Sequence, residues 1–247
     1  MVSFRSLQKD VIFQAVRAMY TDVAEHPDRE YHFPVGLAAC RHAGYPAERL
    51  ANLPARAVES FAGVGYPFAA NVIRPGDTVL DVGSGSGTDL LLAHRDVGPT
   101  GRVIGLDMTP AMLARLDRTV ADAGALDVRL VEGNAERIPL PDASVDVVTS
   151  NGVFNLVPDK RAAFAEVFRI LRPGGRLQIA DIALGRPLTA DCASDPRLWA
   201  ECIVGATMED EYAALLADAG FVQVEILGRL DYFAASRSEA TRSVARL

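Results

Sequence analysis

Three glycines, each separated by one residue, follow an aspartate in the segment Asp81-Val82-Gly83-Ser84-Gly85-Ser86-Gly87. Glycine lets a backbone turn sharply and approach a ligand closely, and a glycine loop between a strand and a helix is typical of nucleotide-binding sites. The dinucleotide fingerprint G-x-G-x-x-G/A would need a third small residue at position 88, where this chain has Thr88. A pyrophosphate would also be repelled by the carboxylate of Asp81. The spacing and the charge therefore disfavour a nicotinamide oxidoreductase and favour another nucleotide-like cofactor.

Two further polar residues stand where later apolar runs end. Asp107 lies 20 residues beyond Gly87, and a carboxylate in that place can accept hydrogen bonds from both hydroxyl groups of a ribose. An acidic residue favoured near the start of a helix is the alternative explanation of Asp107. Asn151 ends a later run, at the edge of the sheet where ligands bind in such folds. We therefore expect both side chains at the cofactor site.

A parallel sheet is needed to bring these residues together, and the chain from residue 77 onward has the pattern of one. Apolar runs alternate with helical segments, which is typical of βαβ units. The predicted strands cover residues 78–80, 102–106, 128–131, 145–149, 176–180, 222–227 and 231–235. The predicted helices cover residues 88–95, a segment from Pro110 after the cap Thr109, 160–171 and 209–219, the last ending at Gly220. Residues 172–175 are predicted to be the turn before the fifth strand. The expected fold class is α/β, with a Rossmann-like, mostly parallel sheet of seven strands flanked by helices.

The first part of the chain has a different pattern. Apolar residues recur at helical spacing from Leu7 onward. Four prolines then divide the segment into short pieces, at Pro34, Pro46, Pro54 and Pro67. We predict a helical lid or substrate segment over residues 1–71 and a cofactor-binding domain over residues 72–247.

Composition limits the class of partner. The formal net charge is −7, and no run of lysine or arginine resembles a nucleic-acid-binding patch. No apolar run reaches the ~20 residues needed to span a bilayer, and the N-terminus lacks the apolar centre of a signal peptide. The three cysteines, Cys40, Cys192 and Cys202, have no CxxC spacing, which argues against a zinc site or a disulfide framework. We expect a cytoplasmic protein without a metal site that binds neither nucleic acid nor membrane, and a homodimer stays open.

The glycine segment resembles motif I of class I S-adenosylmethionine-dependent methyltransferases. The resemblance implies that Asp81 supports the amino-acid end of S-adenosylmethionine. It also implies that the segment after the third strand holds the adenine, through the side chains of Asn134 and Glu136 and the backbone of Ala135. An ordinary polar turn is the alternative there. The cofactor contacts expected on this basis are Asp81, Gly83, Ser84, Gly85, Gly87, Asp107, Met108, Asn134, Ala135, Glu136 and Asn151.

Longer segments resemble bacterial arsenite methyltransferase-like proteins, and ubiquinone/menaquinone C-methyltransferases share the core motifs. These segments cover residues 31–34, 59–65, 101–110 and 155–160. Enzymes of the arsenite group hold trivalent arsenic, a soft thiophile, with cysteine thiolates. The positions that match those cysteines are Val64, Gly152 and Cys202, so one of three thiols is present. The resemblance therefore implies a methyltransferase scaffold whose metalloid ligands have been replaced.

Several side chains could assist methyl transfer, which needs a base only when the nucleophile must lose a proton. The predicted catalytic residues are His32, Tyr66 and Cys202, and Tyr31, His42 and Glu201 are further candidates. A surface or packing role is the alternative for His32, and a small buried hydrophobe is the alternative for Cys202.

Three functions stay open at this point. The first is methyl transfer from S-adenosylmethionine to a small organic molecule with an O, N, S or C nucleophile. The second is arsenite methylation by Cys202 together with Cys40 or Cys192. The third is a binding or regulatory protein that keeps the cofactor site without catalysis.

Overall fold

The structure, a computed structural model, describes residues 6–185, Trp199 and residues 204–232. Within these residues a central sheet has the strand order β3-β2-β1-β4-β5, and every neighbouring pair is parallel. Its strands are β1 (Thr78–Val82), β2 (Arg102–Asp107), β3 (Arg129–Glu132), β4 (Val145–Asn151) and β5 (Leu171–Ala180). Two short parallel strands, β6 (Ala183–Leu184) and β7 (Thr207–Met208), pair separately.

Helices and short turns connect the strands. The helices of the described residues are α1 (Ser6–Glu25), α2 (Leu37–His42), α3 (Ala47–Leu50), α4 (Ala55–Glu59), α5 (Thr88–Val97), α6 (Pro110–Asp122), α7 (Lys160–Ile170) and α8 (Glu209–Ala219). Turns of 3₁₀ helix occur at Pro67–Ala70, Gly98–Thr100 and Phe154–Leu156. Pro110 begins α6 after Thr109, and Gly220 ends α8 with a φ of 108°, as the sequence predicts.

The sheet is buried on both faces because successive side chains of a strand point to opposite sides. Val79 of β1 packs with helices α2 to α6, whereas its neighbour Leu80 packs with α7 and α8. Both side chains are fully buried. This explains why the central strands are almost continuously apolar in the sequence.

The order of the strands places a crevice between β1 and β4. The chain leaves β1 toward β2 on one side and returns to β4 on the other, so the connections diverge at the carboxyl ends of these two strands. Val82 and Ser150 are paired there. In open parallel sheets such a switch point is where ligands bind.

The prediction of a single seven-stranded sheet is wrong for the described residues, whose central sheet has five strands. Residues 222–227 have apolar side chains at alternate positions but form no strand, and Val222 is 82% exposed. An alternating pattern stabilises a strand only when a neighbour supplies hydrogen bonds and a packed face. The predicted strand at 231–235 lies mostly outside the described residues.

The predicted turn at residues 172–175 is also corrected. β5 begins at Leu171, which pairs with Val145, and the next pair joins Arg176 to Val147. Four residues of β5 therefore stand opposite one residue of β4, as an irregular bulge within the strand.

The N-terminal segment is helical, as predicted, and shares its core with the sheet. Val16 and Val23 of α1 lie in one buried cluster with Met112 of α6. Cys40 of α2 lies in another cluster, with Val79 of β1. The division at residues 71 and 72 stays a prediction. In the described part of the chain, no helix is both long enough and apolar enough to cross a membrane.

Candidate functional site

A cleft opens at the carboxyl ends of β1, β2 and β4. It encloses about 940 Å³ of empty space, counting the open solvent at its mouth. One wall is the glycine loop, and Asp107 and Asn134 line the region next to it. Helix α1 contributes Phe13, Val16 and Tyr20, which share one helical face because they are three and seven residues apart. The cleft thus has a polar floor and an apolar roof.

The glycine loop is locked in place by the backbone of β2. Gly83 donates a hydrogen bond of 2.7 Å to the carbonyl of Leu106, and Ser84 donates a second one of 3.1 Å to the same oxygen. Gly83 has a φ of 72°, and a Cβ there would overlap Val153. Gly87, with a φ of 96°, faces the methyl groups of Leu116 and is not part of the cleft wall. Gly83 therefore lets the loop pack against Val153 in the cleft wall, whereas Gly87 lets α5 pack onto α6.

Asp107 is held by two backbone donors at the end of β2. Its Oδ2 accepts the N–H of Gly85 at 2.9 Å, and its Oδ1 accepts the N–H of Thr109 at 2.8 Å. Burial raises the pKa of this carboxyl, and these backbone donors oppose the rise because they stabilise the charged form. Each oxygen keeps a free lone pair. The side chain can therefore accept hydroxyl groups from a ligand while it fixes the loop.

Asp81 is buried in the cleft wall with one oxygen unpartnered. It is 2% exposed, and its Oδ2 has no hydrogen-bond donor among the described residues. Burial, followed by the nearby carboxylate of Asp89, raises the pKa of Asp81 well above its usual range. A buried polar atom of this kind calls for a partner, which a ligand in the cleft can supply.

Asn151 lines the cleft, but its amide is engaged by the protein. Its Oδ1 accepts the N–H of Val64 at 2.7 Å, and its Nδ2 lies 2.8 Å from the carbonyl of Gly65. The same nitrogen also reaches Asp89 Oδ2 at 3.0 Å and the hydroxyl of Tyr45 at 2.9 Å. The structure therefore shows Asn151 joining the 63–65 loop to β4.

The predicted adenine segment is divided between cleft and scaffold. Asn134 and Ala135 line the cleft together with Gly133. Glu136 does not: its Oε1 accepts the N–H of Asp159 at 2.8 Å, and its Oε2 lies 3.3 Å from Lys9 Nζ. The side chain of Glu136 thus fastens α1 to the start of α7.

Of the predicted catalytic residues, the two that the structure describes lie outside the cleft lining. His32 is exposed and is not part of the lining. Tyr66 packs edge-on against Tyr45, with ring centres 4.8 Å apart, and also lies outside the lining. Cys202 lies outside the described residues, as do Cys192 and Glu201.

Two of the three positions that match the arsenic-binding cysteines, Val64 and Gly152, form an apolar contact. A Cβ on Gly152 would lie 3.2 Å from Cγ1 of Val64, so the two residues are neighbours. Cys40 is fully buried elsewhere, and burial raises the pKa of its thiol to about 12. Since the thiolate is the form that binds metals and metalloids, Cys40 is a poor ligand.

Sequence reasoning missed two parts of the site. Asp89 lines the cleft, and its only local signal is an acidic residue in the first turn of the helix after the glycine loop. The roof residues Phe13, Val16 and Tyr20 carry a helical repeat, but their spacing does not say which surface they cover.

The lining fits the cofactor that the glycine motif implies. It contains the carboxylates of Asp81, Asp89 and Asp107, and no lysine, arginine or histidine among the described residues. S-adenosylmethionine carries positive charge on a sulfonium and an ammonium group, together with ribose hydroxyls. Opposite charges and hydroxyl donors are the partners that buried carboxylates require.

Comparisons with known proteins identify the family. The profile of a methyltransferase domain matches residues 73–220. An arsenite methyltransferase of Halobacterium salinarum is 43% identical over 183 residues, covering 74% of this chain and 46% of that protein. The ubiquinone/menaquinone biosynthesis C-methyltransferase UbiE of Salmonella paratyphi B is 32% identical over 174 residues, covering 62% of this chain and 69% of that protein.

A solved structure agrees. The crystal structure of CrArsM, an arsenic(III) S-adenosylmethionine methyltransferase from Chlamydomonas reinhardtii, matches with a TM-score of 0.63 and 33% identity. The match covers 74% of this chain and 67% of that one. The matched part spans about half the length of the arsenite methyltransferases of Halobacterium salinarum and Aquipseudomonas alcaligenes. The chain belongs to the family of S-adenosylmethionine-dependent methyltransferase domains.

Proposed function

We propose that this chain transfers the methyl group of S-adenosylmethionine to a small organic molecule. The observation that carries the proposal is the buried Asp81 carboxylate beside the glycine loop, which lines the cleft and whose Oδ2 has no donor among the described residues. A neutral nucleotide end would leave that oxygen unsatisfied, whereas an ammonium group satisfies it.

Each part of the floor has a separate binding task. Asp107 accepts the ribose hydroxyls, since its oxygens keep lone pairs after binding Gly85 and Thr109. Asn134 and Ala135 line the place of the adenine. Asp81 accepts the ammonium group. The cofactor would lie along the carboxyl ends of β1 and β2.

The protein acts mainly by holding the reactants in position and by excluding water, and contributes little acid–base chemistry. Bound S-adenosylmethionine supplies an electrophilic methyl group on a sulfonium that leaves readily. Phe13, Val16 and Tyr20 cover the cleft and exclude water, so the acceptor competes with little solvent. Holding the two reactants in line converts a bimolecular step into an effectively unimolecular one.

The acceptor side favours an organic molecule over arsenite, the substrate named for the relatives. Val64 and Gly152 present an apolar contact where that chemistry needs thiolates. Cys40 is too deeply buried to replace them. A single thiol at Cys202 would offer one ligand. We therefore propose an acceptor with an apolar body and its own nucleophilic atom.

Calorimetry followed by a transfer assay tests the proposal. S-adenosylmethionine and S-adenosylhomocysteine are expected to bind with dissociation constants on the order of micromolar. Asp107→Asn should weaken the binding of both ligands by about tenfold or more. The substitution removes the negative charge and replaces one acceptor oxygen with an amide group. Asp117→Asn is the matched control, since Asp117 is exposed on α6 away from the cleft.

Two outcomes would contradict the proposal. If neither cofactor form binds the parent protein, the site assignment fails. If both bind but no labelled methyl group reaches any fraction of a metabolite extract, the protein is a binding or regulatory protein and the transfer activity is refuted.

A further inference from the structure

A buried polar network lies beneath the amino-acid end of the cleft. The hydroxyl of Tyr45, between α2 and α3, donates to Oδ1 of Asp89 on α5. Asn151 donates to Oδ2 of the same carboxylate at 3.0 Å. Asn151 also binds the backbone of Val64 and Gly65, as described above. The network thus fixes the orientation of Asp89 from two sides.

Asp89 also belongs to the surface that a ligand would touch. Both Asp81 and Asp89 line the cleft, and both are buried. Two carboxylates taken out of water at one place repel each other, and each needs compensating positive charge. No cationic side chain lines this cleft in the described part of the chain. In the empty cleft the raised pKa of Asp81 relieves this repulsion by protonation, whereas a cationic ligand would supply the missing positive charge and let both groups ionise.

We propose that Asp89 is a second carboxylate for the ammonium group of S-adenosylmethionine, and that Tyr45 and Asn151 are the positioning residues that aim it. This inference rests on the proposed cofactor site. Asp81 contributes the unpartnered Oδ2, and Asp89 contributes the remaining lone pairs of an oriented carboxylate. An ammonium group has three donors, so it can satisfy both carboxylates at once.

An ammonium group bound next to Asp89 would also couple ligand binding to the protonation of this carboxylate. Burial raises the pKa of Asp89 to about 6, although donation from Tyr45 and Asn151 lowers it. The other titratable groups that interact with the charge of Asp89 are Asp81, Cys40, Tyr45 and Tyr66, and Asp107 also acts on Asp81. A bound ammonium would stabilise the charged carboxylates. Binding near pH 6 therefore releases protons, whereas a ligand without an ammonium does not release them.

A purely structural role for the network would behave differently. If Asp89 served only to hold the 63–65 loop against β4, its replacement would disturb every ligand of the cleft to a similar degree. The two roles are separated by comparing ligands that share the adenosine part and differ at the amino-acid end.

Titration calorimetry of two ligands provides that comparison. S-adenosylhomocysteine carries the ammonium, and 5′-methylthioadenosine lacks the whole amino-acid end. Asp89→Asn should weaken S-adenosylhomocysteine about ten- to a hundredfold, as expected for loss of a charged hydrogen bond, and leave 5′-methylthioadenosine within about twofold. Asp117→Asn should change neither ligand. A thermal unfolding curve of each variant checks that it is folded.

Proton release gives a second readout that does not depend on Asp89→Asn folding well. Titrations of the parent protein near pH 6 in two buffers of different ionisation enthalpy should show release with S-adenosylhomocysteine and none with 5′-methylthioadenosine. Tyr45→Phe removes a donor that lowers the pKa of Asp89. The pH of greatest release should therefore move upward in this variant.

The outcomes distinguish the two proposals. Equal weakening of both ligands by Asp89→Asn, or proton release that is the same for both ligands, would overturn the role of Asp89 while the cofactor site stands. Failure of the parent protein to bind S-adenosylhomocysteine would overturn the proposed function itself.

Discussion

Lys9 on α1 donates a hydrogen bond of 2.8 Å to Asp159, the residue that caps α7. Its ammonium group also lies 3.3 Å from Glu136, which in turn binds the backbone of Asp159. Three parts of the chain thus meet at one cation, close in sequence to Asn134 and Ala135 of the cleft lining. The roof residues of α1 continue from this point over the cleft, so Lys9 fastens the roof to the floor.

Weakening the ion pair between Lys9 and Asp159 should speed the release of the cofactor. Lys9 and Asp159 are both partly exposed, and such an ion pair contributes roughly 0.5–1 kcal/mol. Lys9→Gln should therefore raise the dissociation rate of S-adenosylhomocysteine about two- to fivefold, measured by stopped-flow fluorescence. Asp10→Asn, on the exposed neighbour, is the control. High salt should raise the rate of the parent toward that of the variant. Equal dissociation rates in the parent protein, Lys9→Gln and Asp10→Asn would show that Lys9 does not hold α1 in place.

Gly83 should tolerate no side chain. Gly83 and Gly174 both have positive φ, of 72° and 77°, so alanine costs about 1 kcal/mol of backbone strain at either position. Only at position 83 would the new Cβ overlap another residue, Val153. Gly83→Ala should abolish binding of S-adenosylhomocysteine by calorimetry, whereas Gly174→Ala should lower the melting temperature slightly and bind normally. Normal binding by Gly83→Ala would mean that the loop does not approach the ligand.

Lys160 should make stability depend on alkaline pH. Burial lowers the pKa of its ammonium from 10.5 to about 8. Its Nζ donates to the carbonyl of Val157 at 2.9 Å. Between about pH 8 and 10.5 the unfolded chain binds this proton and the folded chain does not, so the stability of the folded state rises with pH across that window. Below pH 8 both states hold the proton, and the cost of burying the charge is fully present.

Comparing the parent protein with Lys160→Met separates the pH dependence of stability caused by Lys160 from that of other titrating groups. The free energy of unfolding of the parent protein, relative to the variant, should increase by up to about 3 kcal/mol from pH 7.5 to pH 10. Urea unfolding at the two pH values measures it. A difference that is the same at both values would show that Lys160 keeps its ordinary pKa in the folded protein.

The contact between Val64 and Gly152 predicts how arsenite binding could be created. In the parent protein, arsenite should not raise the melting temperature, because the described acceptor side offers no thiolate. Combining Val64→Cys with Gly152→Cys places two thiols side by side, and arsenite should then raise the melting temperature. Each single variant should respond less than the pair. The left-handed backbone at Gly152 will lower the stability of the pair before arsenite is added. Stabilisation of the parent by arsenite would contradict the proposed organic acceptor.

The sequence by itself determined the local features of this protein. The glycine spacing after Asp81, the carboxylate of Asp107 and the alternation of apolar runs with helical segments are encoded within a few residues of one another. Backbone conformation and the periodicity of burial follow from such short patterns, so the nucleotide loop and the five strands of the central sheet could be predicted. The alternating apolar residues at 222–227 were not enough to predict a strand, because a strand also needs a neighbouring strand to pair with.

Tertiary structure decided what each polar side chain does at the cleft. Asn151 meets Tyr45 across 106 residues, and Lys9 meets Asp159 across 150 residues. Neither separation leaves a local pattern, so the sequence does not reveal that Asn151 and Glu136 hold distant parts of the chain together. Asp89 shows the opposite case. In the sequence it looks like an ordinary acidic residue in the first turn of a helix, and only the fold brings it near Asp81. Charge, burial and the supply of hydrogen-bond partners depend on which distant residues the sheet brings together, and this is the physical reason why the sequence alone did not assign these roles.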